Sequence, residues 1–210
     1  MAQSPDARRS ISPRQAIRIV AAAVVTLAAI TVVLIAAGAF DPQPLGSLIQ
    51  TDKLDRQSLN ETGERNSAIP APWFAEETPD SFSVRLVAAY IDGELDSGYG
   101  LAVGDDSGRL VVALSPLGYA AIWEETGPGE ITYHLPWQTW PHIRTGAAEN
   151  EIWLDVVRDR GRALLTVRIN RELLWQGAVD FYPDQQGLYQ VTFDAPVTTD
   201  FRTLEWFAGP

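Results

Sequence analysis

Two hydrophobic patterns divide the chain. Ile19 to Phe40 is an uncharged run of mostly Ala, Val, Ile and Leu, interrupted only by Thr26, Thr31 and Gly38. At ~1.5 Å per residue a helix of this length covers about 33 Å, enough for a hydrocarbon core of roughly 30 Å. Such a helix satisfies its own backbone groups inside lipid, so its β-branched residues are no obstacle. The run predicts a transmembrane helix over 19–40. From Ser81 the apolar residues instead recur at every second position: Phe82, Val84, Leu86, Ala88 and Tyr90, then Tyr99, Leu101 and Val103. Period two is the signature of strands with one face turned to a core.

The alternation continues to the C-terminus. Leu110–Leu114, Tyr119–Trp123 and Ile131–Leu135 read as short strands bounded by Gly or Pro. Ile152, Leu154 and Val156 alternate into the turn Asp159-Arg160-Gly161, and Ala163, Leu165, Val167 and Ile169 alternate back. Asn170-Arg171 starts another reversal before Leu173-Leu174-Trp175, and Leu188–Phe193 and Phe201–Trp206 complete the set. About ten strands with turn signals at roughly ten-residue spacing, and no amphipathic helix, predict an all-β antiparallel sandwich over 81–210. Residues 41–80 carry Pro42, Pro44, Pro70, Pro72 and Pro79 with no sustained period. They read as a flexible stalk, with Trp73-Phe74 as the point where the chain first docks on the domain.

Charge sets the orientation. Arg8, Arg9, Arg14 and Arg18 precede the apolar run and only Asp6 opposes them. The positive-inside rule keeps residues 1–18 in the cytoplasm and the sandwich outside it, on a single-pass chain in the cell membrane. A cleaved signal peptide is the alternative, because Ala37-Gly38-Ala39 fits the small-residue cleavage pattern, but its apolar core is ordinarily only about 7 to 15 residues. Beyond Phe40 lie 26 acidic and 12 basic residues, a net −14. That field disfavours nucleic acid and anionic lipid as partners of the external part. There is no cysteine, which excludes disulfides, thiolate catalysis and cysteine-ligated metals. One lysine beside 15 arginines and frequent alanine fit a GC-rich bacterial genome, in which Asn60-Glu61-Thr62 would stay unglycosylated.

The series Gly98-Tyr99-Gly100-Leu101, Asn150-Glu151-Ile152-Trp153-Leu154, Val167-Arg168-Ile169-Asn170, Gly187-Leu188-Tyr189 and Phe201–Trp206 resembles the concanavalin A-like lectin/glucanase jelly roll. Within it the chain is most similar to bacterial laminin-G-like and 3-keto-disaccharide hydrolase-like domains, over Ser81 to Phe207. The sequence departs from the pattern at Asn170-Arg171, where such domains often have Asn-Gly, and by keeping only Gly187 where two glycines are common. The resemblance implies a jelly roll, a fold that carries lectins, hydrolases and adhesion modules alike.

Candidate chemistry is sparse. Glycosidases of this fold pair carboxylates on one strand face. Glu94-Leu95-Asp96 comes nearest but lies among turn residues, and Glu149, Glu151 and Asp155 read as a solvated strand face. His134 and His142 do not make a zinc site. Asp105-Asp106-Ser107-Gly108 offers too few oxygens for calcium and reads as a turn. No metal or cofactor is implied. The segment Tyr133 to His142 sets two tryptophans between Pro136 and Pro141, which predicts a rigid loop presenting rings to a sugar face or protein. Tyr133, Trp137, Trp140 and His142 are therefore the candidate ligand-binding residues. The sequence reading is a non-catalytic, membrane-anchored module that binds glycan or protein at the cell envelope. A carbohydrate-active hydrolase and a structural subunit of an envelope assembly are the alternatives.

Overall fold

The computed structural model describes residues 12–36, 41–60, 65–70, 78–127 and 129–209. Arg8, Arg9, Ala37-Gly38-Ala39, Glu61, Thr62, Pro72 and Trp73-Phe74 lie outside the described residues. The chain divides into two units at Pro42.

The first unit contains helix α1, Pro13–Ala36, long and apolar enough to cross a membrane and without a buried residue. It begins six residues before the expected Ile19 because the preceding residues form a cap. Ser12 Oγ accepts from the Gln15 N–H at 3.3 Å, the Gln15 side-chain oxygen accepts from the Ser12 N–H at 3.2 Å, and Pro13 occupies the first helical position. This reciprocal pair and the proline satisfy or remove amide donors that a helix start otherwise leaves bare. Inside the apolar run, the Thr31 hydroxyl donates to the Leu27 carbonyl at 2.9 Å and so leaves no unpaired side-chain donor on the apolar helix.

The second unit is an antiparallel sandwich. Its strands are β1 (Ser47–Lys53), β2 (Arg56–Leu59), β3 (Arg65–Pro70), β4 (Ser81–Gly93), β5 (Ser97–Asp105), β6 (Gly108–Leu114), β7 (Tyr119–Gly127), β8 (Glu130–Thr139), β9 (Asn150–Asp159), β10 (Arg162–Ile169), β11 (Glu172–Val179), β12 (Gln185–Thr192) and β13 (Val197–Ala208). One sheet runs β1-β13-β4-β9-β10-β11, with β2 also on β13; the other runs β3-β12-β5-β6-β7-β8. The all-β expectation holds.

The core fills the space between the sheets with the residues that the alternation singled out. Phe82, Val84, Leu86 and Ala88 of β4 and Ala163, Leu165, Val167 and Ile169 of β10, from one sheet, face Leu101 and Val103 of β5 and Leu110, Val112 and Leu114 of β6, from the other, all essentially without exposure. Each such Val, Leu, Ile or Phe contributes about 1.5–3 kcal/mol through burial. At the open edge, where β8 and β11 end their sheets, His134 and Trp175 meet across the sandwich with ring centroids 5.2 Å apart, and His134 Nε2 lies 3.2 Å from Glu124.

The stalk expectation for 41–80 is corrected. β1 and β2 pair with β13, and β3 pairs with β12, so the sandwich unit begins at Gln43 rather than Ser81. These strands are held by backbone ladders. β1 has five exposed positions and no buried one, so it displays little of the hydrophobic period that marks a strand in sequence.

Candidate functional site

The Trp137 segment is not a loop. Residues 130–139 form the edge strand β8, and Pro136 falls in the register shift between the pairs Ala120 with Gln138 and Ile122 with Leu135. A proline lacks the N–H that an interior ladder needs, and an edge with a bulge is where it is tolerated. The bulge helps place Tyr133 and Trp137 on the outer face of the six-stranded sheet, turned away from the core.

That outer face is unusual in being packed. Val111, Ala113, Ala121, Trp123 and Tyr189 are nearly inaccessible there, with Trp137 and Phe193 against them. The register explains the arrangement. One transverse row reads Tyr189, Gly100, Ala113 and Ala121 across β12, β5, β6 and β7, and the next reads Gly187, Ala102, Val111, Trp123 and Tyr133. Small side chains along the first row leave a trough, and Trp137 from β8 extends along it as far as β5. A Cβ built on Gly98 would stand 2.9 Å from Trp137 Cη2. Trp123 is the hub, with ring centroids 6.0 Å from Tyr133, 6.2 Å from Trp137 and 5.4 Å from Tyr189 in an edge contact.

A partly exposed ion pair fixes the hub. The Trp123 indole N–H donates to Glu125 Oε1 at 2.8 Å, and Arg109 Nε donates to Glu125 Oε2 at 2.7 Å. The Tyr189 hydroxyl points at the same carboxylate, 3.4 Å away. Burial, then the Glu125 charge, push the Tyr189 phenol well above its ordinary value, with Arg109 opposing in part. Tyr189 therefore stays neutral.

Beside Trp137 opens a cleft of about 240 Å³ lined by Asp96, Ser97, Ser115, Tyr119, Trp137 and Phe193. This is somewhat below the ~300–1,000 Å³ range of ligand pockets. The two serines are engaged with backbone: Ser97 Oγ donates to the Glu94 carbonyl at 2.7 Å, and Ser115 Oγ to the Leu95 carbonyl at 3.4 Å. Neither the Asp96 carboxylate nor the Tyr119 hydroxyl makes a hydrogen bond or ion pair among the described residues, and Tyr119 is 38% exposed. The cleft thus offers aromatic surface with one acceptor and one phenol unspent.

Phe193 is held in place by Glu94, whose carboxylate accepts the N–H groups of Phe193 (2.9 Å), Asp194 (3.0 Å) and Ala195 (3.2 Å) and the Thr192 hydroxyl. Desolvation raises the Glu94 carboxyl, but the Thr192 and backbone bonds outweigh it and bring it down to about 2. The carboxylate first weighed for catalysis is a structural clamp. Asp105 is likewise a turn residue, its Oδ1 accepting from Ser107 N at 2.7 Å and Gly108 N at 3.3 Å. No group of three or more His, Asp or Glu able to hold a metal occurs among the described residues.

The four sequence candidates separate. Tyr133 (49% exposed) and Trp137 share the outer aromatic face. Trp140 turns instead toward the inter-sheet core, with exposed His142 beside it at 5.5 Å between ring centroids. Tyr119, Trp123 and Phe193 were not expected, and Asp96 was weighed only as a catalytic carboxylate beside Glu94. The signal for them was the second alternation, the small residues Gly98, Gly100, Ala102, Ala113 and Ala121 on the supposedly solvated face.

No family model matches the chain, and no curated protein matches it. Among solved structures it is similar to the legume lectin-like domain from Entamoeba histolytica, at 9% identity and TM-score 0.48, over 82% of this chain and 92% of that one. It is also similar to the carbohydrate binding module CBM66 from Bacillus subtilis (12%, TM-score 0.43, 76% and 93% covered) and the Caenorhabditis elegans galectin LEC-6 (14%, 0.39, 71% and 94%). At these identities the likeness is one of fold, not of site.

Proposed function

We propose that this chain is a membrane-anchored module whose sandwich binds glycan, non-catalytically, in the cleft beside Trp137. The observation that carries the reading is the pairing of Trp137 and Phe193 with the unspent Asp96 carboxylate and Tyr119 hydroxyl around one cleft. A sugar ring presents an apolar C–H face and a rim of hydroxyls, so an aromatic surface beside a hydrogen-bond acceptor matches it. Binding is favoured over hydrolysis because a glycosidase uses two carboxylates, and only Asp96 lines this cleft. Glu94 is committed to the backbone of 193–195.

The anchoring half of the proposal rests on α1, whose 24 residues span about 36 Å. Arg14 and Arg18 at its start support an orientation with the N-terminal end in the cytoplasm and the sandwich outside. Resistance of the protein to alkaline extraction of membranes, with the N-terminus intact by mass spectrometry, is the expected outcome. A soluble product beginning after residue 36 contradicts it.

The binding half is tested with the full chain in detergent on a glycan array, comparing wild type with Trp137→Ala, Tyr119→Ala and Trp140→Ala. The expected result is specific binding, lost in the first two variants and kept in the third. Absence of binding to any glycan, or equal binding by Trp137→Ala, overturns it.

A further inference from the structure

The cleft beside Trp137 lies where four strands of the six-stranded sheet end together. Asp96 precedes the first residue of β5, Ser115 follows β6, Tyr119 opens β7 and Phe193 follows β12, while Trp137 reaches in from β8. We infer that the sugar residue held there is a hexosamine with a free amino group, bound as its ammonium. The inference rests on the glycan reading above and narrows it to a cationic sugar.

The hydrogen-bonding groups of the cleft give the first argument. Ser97 Oγ commits its proton to the Glu94 carbonyl and Ser115 Oγ commits its own to the Leu95 carbonyl, while Ser115 also accepts the Leu117 N–H at 3.2 Å. A hydroxyl whose proton is committed offers a ligand only lone pairs. The lining side-chain donors without a partner are neutral, the Tyr119 hydroxyl and the Trp137 indole N–H. The one charged lining group is the Asp96 carboxylate, an acceptor with both oxygens uncommitted. An ammonium brings three donors and makes the stronger, charge-assisted kind of hydrogen bond to a carboxylate. An acetamido group at the same position would turn a carbonyl oxygen toward acceptors, and an acidic sugar would set one carboxylate against another.

The rings give the second. Tyr119, Trp137 and Phe193 line the same cleft as Asp96. The electron-rich face of an aromatic ring attracts a cation, tryptophan most strongly, so these rings accept an ammonium as well as the C–H face of the sugar that carries it.

The surrounding charge gives the third. Residues 92–97, 115–119 and 193–195 supply five of the six lining residues, and they contain Asp92, Glu94, Asp96 and Asp194 but no Lys, Arg or His. Glu94 is occupied by the backbone of 193–195, which leaves Asp96 as the acid facing the ligand. The net −14 of the residues beyond Phe40 attracts a cationic sugar from a distance.

The test uses the full chain in an uncharged, sugar-free detergent at about pH 6 and low ionic strength, titrated by calorimetry. The probes are a β-1,4-linked glucosamine tetramer, its fully N-acetylated form, and the glucose tetramer of the same linkage. An exposed ion pair together with a ring contact should favour the glucosamine tetramer over either uncharged one by roughly three- to thirtyfold. That preference should shrink as salt is added. In Asp96→Asn the ratio of affinities should fall to about one, and in Trp137→Ala the binding of the glucosamine tetramer should be lost. Equal affinity for the charged and uncharged tetramers, or a preference that survives Asp96→Asn, overturns the inference and leaves the glycan reading standing. Undiminished binding of the glucosamine tetramer by Trp137→Ala also overturns it, because the attraction is then to the acidic surface at large. Failure of the wild type to bind the glucosamine tetramer overturns it too, and the uncharged tetramers and the glycan array then decide separately whether the glycan reading falls with it.

Discussion

The indole rings of Trp123 and Trp137 stand on neighbouring strands with centroids 6.2 Å apart and planes tilted by 47°, and the second ring reaches across the sheet to Gly98 on β5. A methyl group on Gly98 would meet Trp137 Cη2 at 2.9 Å and Val191 Cγ1 at 2.8 Å. Gly98→Ala should therefore displace the Trp137 ring, cost about 1–3 kcal/mol of stability as other overpacking changes do, and weaken ligand binding. Denaturant unfolding together with near-ultraviolet circular dichroism checks both parts. Unchanged spectra and stability would mean that the trough has room to spare.

Asn150 joins three parts of the sandwich. Its side chain donates to the Tyr99 hydroxyl at 3.0 Å and to the Arg144 carbonyl, and accepts from the Arg144 N–H and from Asn170. Asn150→Ala strands these groups in a dry site and should cost about 2–4 kcal/mol, the penalty for several buried polar groups left unpaired. Asn150→Asp should also destabilise, because a carboxylate cannot donate to Tyr99 or to the Arg144 carbonyl. The midpoint of urea unfolding reports both.

Acid stability follows from the clamp at Glu94. Its carboxyl lies at about 2, below the ordinary 4.5 expected of the unfolded chain, so it stabilises the fold above pH 4.5 and loses that contribution as pH falls toward 2. Asp105, lowered by its Ser107, Tyr182 and Gly108 bonds against the opposing effect of burial, acts in the same direction. Asp184, raised by burial and by Asp105 and Asp106, acts in the opposite one. Tm measured from pH 5 to pH 2 should fall, and Glu94→Gln should start lower and fall less steeply. Parallel curves for the two proteins would refute the role given to Glu94.

The boundary at Gln43 has a direct consequence. A fragment from Ser81 to Pro210 lacks β1, β2 and β3 and bares both edges they cover, along β13 and along β12. It should aggregate or melt well below a fragment from Gln43 to Pro210, because uncovered strand edges recruit other chains. Thermal melts and size-exclusion profiles of the two fragments decide the matter.

Legibility in the sequence tracked burial. β4 and β10 were readable because every second side chain enters the core, and the period survives along their whole length. β1 and β2 were not, because their pairing with β13 is made by backbone groups that every sequence shares. β8 was read as a strand only as far as Leu135, and its Trp137 end as a loop, because Pro136 is a strand breaker everywhere except at an edge or a bulge, and β8 has both. The site was half legible. Tyr133 and Trp137 stood out as aromatics near prolines, but Asp96, Tyr119 and Phe193 come from different strands and connections, brought together only by the order β12-β5-β6-β7-β8. Trp140 and His142, close to Trp137 in sequence, went elsewhere because the chain leaves β8 at Thr139 and Trp140 turns toward the core.

The seven tryptophans make the central claim directly measurable. Indole N–H signals of the full chain, recorded by proton–nitrogen correlation in detergent micelles and assigned through Trp→Phe variants, are followed while neutral oligosaccharides are added. Glycan binding at the proposed cleft predicts saturable shifts of the Trp137 signal, with a smaller response at Trp123 and none at the buried Trp153 and Trp206. Saturable shifts confined to Trp140 or Trp175, or no saturable shift with any oligosaccharide, would contradict it.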